Sequence, residues 1–99
     1  MTINIQYVKM PTSETMTAYI EKRLNKLGVK YDWIINANVF LKQENNVVGN
    51  KDICEIELSL PGPKIFASSK EKNFETAVKE TIKDLSRILK KRKATFNQH

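Results

Sequence analysis

Between Cys54 and Leu60 every second residue is apolar: Cys54, Ile56, Leu58 and Leu60 alternate with Glu55, Glu57 and Ser59. Successive side chains of an extended chain point to opposite faces, so this run fits a strand with one face on a core and the other in water. The core-facing side must be covered, and two segments have the helical spacing to cover it. Met16, Ile20, Leu24 and Leu27, with Tyr19 at the edge, form one apolar stripe that ends at Gly28. Ser13 is placed to cap that helix, and Glu14 in its first turn suits the helix dipole. Phe74, Ala77, Val78, Ile82, Leu85 and Leu89 form the second stripe, with Ser69 as the expected cap and an end near Lys91 or Lys93.

Three further strands complete the pattern. Ile3, Ile5 and Tyr7 alternate within residues 2–8 before Pro11 and Thr12 break the run. In residues 33–42, Ile35, Ala37, Val39 and Leu41 share one face, with Asn36, Asn38 and Lys42 on the other. Asn45 to Lys51, containing Asn46 and Gly49, is expected to be a polar loop. Pro61-Gly62 matches a type II turn, because proline presets the first torsion and glycine accepts the positive one. A short strand from Pro63 to Ser68 then closes a hairpin. The order is strand, helix, three strands, helix, and the economical packing is an α+β two-layer sandwich with both helices on one face of a four-stranded sheet. Ninety-nine residues hold a single core, so residues 1–93 are expected to form one domain, with 94–99 as a flexible tail.

Charge is distributed unevenly. The net charge is +6, and residues 70–93 hold nine Lys or Arg against Glu71, Glu75, Glu80 and Asp84, while the rest of the chain is nearly neutral. With about 100° between residues, Lys72, Lys79, Lys83, Arg87 and Lys90 fall together opposite the apolar stripe of the last helix, Glu80 and Asp84 lie to one side, and the stripe continues into Lys90-Lys91-Arg92-Lys93. The first helix adds Lys22, Arg23, Lys26 and Lys30, with the Arg23 stem packed along the rim. A solvated helix face accounts for part of this pattern. Four adjacent cations, however, repel more than helix capping requires, and a polyanionic partner accounts for them better.

Other chemistries find little support. The lone histidine is His99, and the lone cysteine, Cys54, falls on a core-facing register and allows no intrachain disulfide. No cluster has metal-ligand spacing and no glycine-rich phosphate loop is present, so neither an enzyme nor a cofactor is expected. Met1 to Met10 lacks the apolar core of a signal peptide, and no stretch has the length of a membrane span, which points to the cytoplasm. The free sheet face should display Asn4, Gln6, Asn36, Asn38, Glu55 and Glu57, with Phe40 and Phe66 among them. Its carboxylates argue against RNA there and in favour of local packing or a protein contact for the two phenylalanines.

Several segments together resemble a known family. They are Ser13-Glu14 through Lys26-Leu27 with Arg23 three residues before Lys26, Tyr31-Asp32, and Cys54 through Pro61-Gly62 into Ile65-Phe66-Ala67-Ser68. Glu75 to Lys79, leading through Leu85 to the Lys90–Lys93 run, completes the set. In order and spacing the chain resembles the short form of the hibernation-promoting factor and ribosome-associated inhibitor A family, also called ribosomal subunit interface or sigma-54 modulation proteins. The resemblance implies a double-stranded RNA-binding-domain-like fold and a bacterial, stationary-phase factor, monomeric in solution, that occupies the decoding channel of the small ribosomal subunit and blocks messenger and transfer RNA. It also implies that basic residues of both helices meet ribosomal RNA. These are Arg23, Lys26, Lys79, Lys83, Arg87, Lys90 and Lys91, with Lys22 beside them. Lys72-Asn73 departs from the family by replacing an acidic residue before the first aromatic of the helix, which adds charge and should weaken the N-terminal cap. The long form's dimerisation domain is not in the chain, so ribosome pairing, if it occurs at all, would call for a separate factor or for the ribosome's own contacts. The same charges also fit a general structured-RNA-binding domain. A protein-interaction module using the free sheet face is a further alternative, and a peripheral membrane protein fits least, because the basic helix buries its apolar stripe.

Overall fold

The computed structural model of the chain describes residues 1–46 and 49–96. Its elements are β1 (Thr2–Tyr7), α1 (Glu14–Lys30), β2 (Asn36–Asn46), β3 (Gly49–Ser59), β4 (Ile65–Glu71) and α2 (Phe74–Phe96). The sheet order is β1-β2-β3-β4, with β1 parallel to β2 and the other two pairs antiparallel. The parallel pair is joined through α1, as a crossover requires. Both helices cover one sheet face, giving the α+β sandwich read from the periodicities.

The core is built from the alternating positions. Ala37, Val39 and Leu41 of β2, Cys54, Ile56 and Leu58 of β3, and Ile65 and Ala67 of β4 face Ile20, Leu24 and Leu27 of α1 and Ala77, Val78, Ile82, Leu85 and Leu89 of α2. Thr81, the one buried polar residue among those described, keeps its hydroxyl paired with the Ala77 and Cys54 carbonyls at 2.7 and 3.3 Å. At the start of α1, Ser13 Oγ accepts the Met16 N–H at 3.2 Å as expected. The Tyr7 hydroxyl donates to the Ser13 carbonyl at 2.8 Å and lies 2.8 Å from Thr17 Oγ1, tying β1 to the first turn of α1.

Several details differ from the sequence reading. Helix α1 passes Gly28 and ends at Lys30, where the Tyr31 N–H donates to the Leu27 carbonyl. Gly28 makes room instead for Met1, whose Cε would stand 2.9 Å from an added Cβ. Ile35 is 61% exposed, although it shares its parity with Ala37. The turn that brings the Ile34 N–H onto the Tyr31 carbonyl delivers Ile34 and Tyr31 into that end of the core. The backbone of Ile35 still pairs with Thr2 and Ser59.

The expected polar loop at Asn45–Lys51 is mostly strand: β2 and β3 pair out to Asn46 and Gly49, and Val47 and Val48 lie outside the described residues. This arm extends past the helical cover, with Gln43, Asn45, Asn50 and Lys51 exposed, so no alternation marks it. β4 likewise runs to Glu71, with Ser69 paired opposite Cys54. The cap of α2 is therefore Asn73, whose Oδ1 accepts the Thr76 N–H at 2.8 Å, and not Ser69. Lys72-Asn73 supplies a cap where a weakened one was expected, and Lys72 lies before the helix, outside its basic stripe. α2 continues to Phe96, beyond the expected end at Lys93, so residues 94–96 are helical, while 97–99 of the expected tail lie outside the described residues.

The Pro61-Gly62 turn is held from outside. Gly62 has φ +95°, and Arg92 Nη1 donates to the Pro61 and Pro63 carbonyls at 3.3 and 3.1 Å. An added Cβ on Gly62 would stand 3.1 Å from Arg92 Nη1. Gly62→Ala is therefore expected to cost about 1–2 kcal/mol, read as a lower denaturant midpoint with an unchanged slope.

Candidate nucleic-acid interface

Side chains three and four residues apart on a helix share a face. On α1 this spacing aligns Arg23, Lys26 and Lys30; on α2 it aligns Lys79, Lys83 and Arg87, with Lys90 and Ser86 alongside. Because the two helices lie side by side on the sheet, these rows face a common groove of about 610 Å³. Leu27 and Ile82 contribute its apolar lining, and Glu80 is the one carboxylate among the lining residues. Seven cations in one groove is the charge concentration that attracts a polyanion.

Few of these cations are neutralised. Among the described residues, the ion pairs are Lys42–Glu55, Lys64–Glu57, Lys70–Glu44 and Arg87–Asp84. Only Arg87 belongs to the groove, so Asp84 does engage the stripe it was expected to flank. An exposed pair of this kind is worth little and is readily exchanged for a stronger anion. Arg23 is half-buried with its guanidinium 5.1 Å from the Tyr19 ring centroid, which packs the stem and fixes the head at the rim.

Of the residues marked by sequence, Arg23, Lys26, Lys79, Lys83, Arg87 and Lys90 converge on the groove. Lys22 and Lys91 do not line it. Lys22 is exposed elsewhere on α1, and Lys91 borders a smaller recess at the β4 edge with Phe66, Ser68 and Ile88. Helical periodicity disperses the Lys90–Lys93 run instead of extending the stripe. Lys90 joins the groove, Lys91 turns to β4, Arg92 holds the Pro61–Pro63 turn, and Lys93 lies 5.9 Å from the Tyr31 ring centroid. Lys30 lines the groove although the resemblance did not mark it; its four-residue step from Lys26 was the available signal.

The opposite sheet face neutralises itself. Glu55 and Glu57, expected to repel phosphate, pair with Lys42 at 2.8 Å and Lys64 at 3.4 Å, and Asn4 bonds to Asn36 and Asn38. Phe66 is 57% exposed there, and Phe40 is half-buried between Gln6 and Glu55. This face has apolar area, and its carboxylates are matched by lysines.

Cys54 is buried in the core, and burial pushes its thiol up to about 12 from 9.0, opposed by Thr81 and assisted by Glu55. At neutral pH the thiol should resist alkylation until the protein unfolds, so labelling in native buffer should track global opening. Its stability contribution is complete below the unfolded value. Between pH 9 and about 12 the unfolded thiol ionises while the folded one does not, so stability falls as pH rises through that window. An alkaline unfolding series of a Cys54→Ala variant, flatter than that of the wild type, would show it. Among the described residues no group of three or more His, Cys, Asp or Glu side chains is placed to hold a metal, and no helix is long and apolar enough to cross a membrane.

Fold and surface together define a small α+β protein whose covering helices carry a cationic groove. Residues 3–97 match the family described as sigma 54 modulation protein / S30EA ribosomal protein, and the chain belongs to that family. Among solved structures it is similar to a ribosomal subunit interface protein from Coxiella burnetii, with TM-score 0.84 and 24% identity over 95% of this chain and 99% of that one. It is also similar to the Protein Y N-terminal domain of Thermus thermophilus, with TM-score 0.77 and 22% identity over 92% of this chain and 98% of that one. At these identities the structural likeness bears on the fold, which agrees with the architecture above. No curated protein matches the chain.

Proposed function

We propose that this protein is a cytoplasmic ribosome-hibernation factor whose inter-helix groove grips small-subunit ribosomal RNA in the decoding channel and so keeps messenger and transfer RNA out. The observation that carries this reading is the convergence of cations from both helices on one groove, while the opposite sheet face cancels its own charge. Family membership and the printed name of the Coxiella burnetii relative, a ribosomal subunit interface protein, support the ribosome as partner.

The mechanism is occupancy. Arg23, Lys26, Lys79, Lys83, Arg87 and Lys90 replace counterions along an RNA backbone, and the released ions supply most of the affinity. Lys22 and Lys91 stand outside the groove and would meet RNA only where it wraps the helices' outer flanks. Folded RNA is recognised chiefly by shape, which a slender body of 51 × 26 × 18 Å can read by lodging in a cleft. No bond is made or broken, and bound protein and transfer RNA exclude one another.

Sucrose-gradient sedimentation with purified small subunits tests the proposal. The protein should co-migrate with the subunit and displace transfer RNA from it as its concentration rises. Equal affinity for plain RNA duplexes and for subunits would replace this reading with that of a general duplex binder. Co-migration without any loss of transfer RNA would remove the occupancy mechanism.

A further inference from the structure

We propose that the end of the molecule where both helices terminate is a stacking site for an unpaired RNA base, an inference that rests on the groove being an RNA site. Tyr31 caps α1 and is buried. Trp33, half-buried, meets it edge to face with ring centroids 5.8 Å apart at 73°. Phe96, in the last described turn of α2, meets Trp33 in turn at 5.2 Å and 72°, and remains 41% exposed. Three rings therefore step from the core to the surface, and the outermost presents bare aromatic area.

The surroundings of these rings select the occupant. Lys30 Nζ and Lys93 Nζ lie 5.6 and 5.9 Å from the Tyr31 centroid, so the aromatic step has a cation from each helix at its base. A purely apolar partner would gain nothing from those cations and would have to desolvate them. A nucleotide offers both a π face for the rings and a phosphate for the lysines, and base stacking on aromatic side chains is tolerant of sequence. Continuity points the same way, because Lys30 also lines the groove. A strand whose phosphates follow the groove reaches Lys30 and then the rings, so an RNA end or bulge leaving the groove meets Trp33 and Phe96 next. The groove holds backbone, and this end holds a base.

Trp33 is the only tryptophan in the chain, so it reports on the site directly. The probes are an oligoadenylate strand and a blunt RNA duplex carrying the same number of phosphates. Oligoadenylate should quench Trp33 emission. Phe96→Leu, which keeps an apolar cover over Trp33 but removes the ring, should weaken strand binding about five- to tenfold and leave duplex binding unchanged. Phe96→Tyr should bind as the wild type does. The double variant Lys79→Ala/Lys83→Ala should weaken both RNAs. If the lysine variant weakens the strand, yet the strand leaves Trp33 emission unaltered and Phe96→Leu binds it normally, the stacking site is refuted and the groove stands. If neither RNA binds, or the lysine variant binds both as the wild type does, the groove reading fails and the stacking site with it.

Discussion

Replacing Lys26, Lys79, Lys83 and Lys90 together by alanine should weaken small-subunit binding by about a hundredfold or more near physiological salt. All four side chains line the groove, all are exposed, and among the described residues none takes part in an ion pair. Their loss removes phosphate contacts without opening the core. Each lost contact should also flatten the dependence of log affinity on log salt by up to about 0.7–0.9, so the slope should drop by up to about 2.8–3.6. Arg87 is left in place because its pairing with Asp84 makes it the groove cation least available to a phosphate. The control is Lys42→Ala/Lys70→Ala, which takes two cations from the self-neutralised sheet face. That control should bind with the wild-type salt slope. A binding series at several salt concentrations reads both quantities at once.

The largest effect on stability is expected at Leu85. It lies on α2, is fully buried, and packs in the core between the helices and the sheet. Leu85→Ala loses the transfer free energy of the removed carbons and leaves a cavity, together about 2–5 kcal/mol. Domains of this size have total stabilities of only about 5–15 kcal/mol, so the variant should lose a large share of its folding margin. Three residues along the same helix, Ile88 is 37% exposed and borders the shallow recess beside β4. Ile88→Ala should therefore cost far less, under about 1 kcal/mol. Denaturant midpoints at constant slope compare the two, and Cys54 alkylation in native buffer should accelerate in Leu85→Ala but hardly in Ile88→Ala.

The contrast between Leu85 and Ile88 also shows which parts of the structure were legible in the sequence. Burial imposes periodicity, so every element resting on the core announced itself: the Cys54–Leu60 alternation became β3, and the stripes from Ile20 to Leu27 and from Val78 to Leu89 became the inner faces of α1 and α2. Where burial ends, the pattern is silent. Among its described residues, the paired arm around Gln43 and Asp52 has no buried side chain to mark it, and it reads as a polar loop. Ile35 carries the right parity but lies where Ile34 and Tyr31 have already filled the core. Ser69 and Asn73 are both competent caps. Only the β3–β4 ladder, which pairs Ser69 with Cys54, decides between them.

The candidate site divides in the same way. Periodicity along α2 aligns Lys79, Lys83, Arg87 and Lys90 without any knowledge of the sheet. That Arg23, Lys26 and Lys30 face them across a groove depends on how the two helices lie together, which a linear pattern does not carry. The Lys90–Lys93 run misled for the opposite reason: contiguity in sequence was read as contiguity in space. About 100° of rotation per residue instead sends Lys91, Arg92 and Lys93 to three different neighbours.

Which surface touches ribosomal RNA can be settled by site-specific crosslinking on the small subunit. A photoreactive side chain at Ser86 looks into the groove, and one at Asn38, between Asn4 and Glu57, lies on the free sheet face. Crosslinks from position 86 to small-subunit ribosomal RNA in the decoding region, with none from position 38, are the predicted result. Crosslinks from position 38 alone would place the RNA on the opposite face and contradict the account.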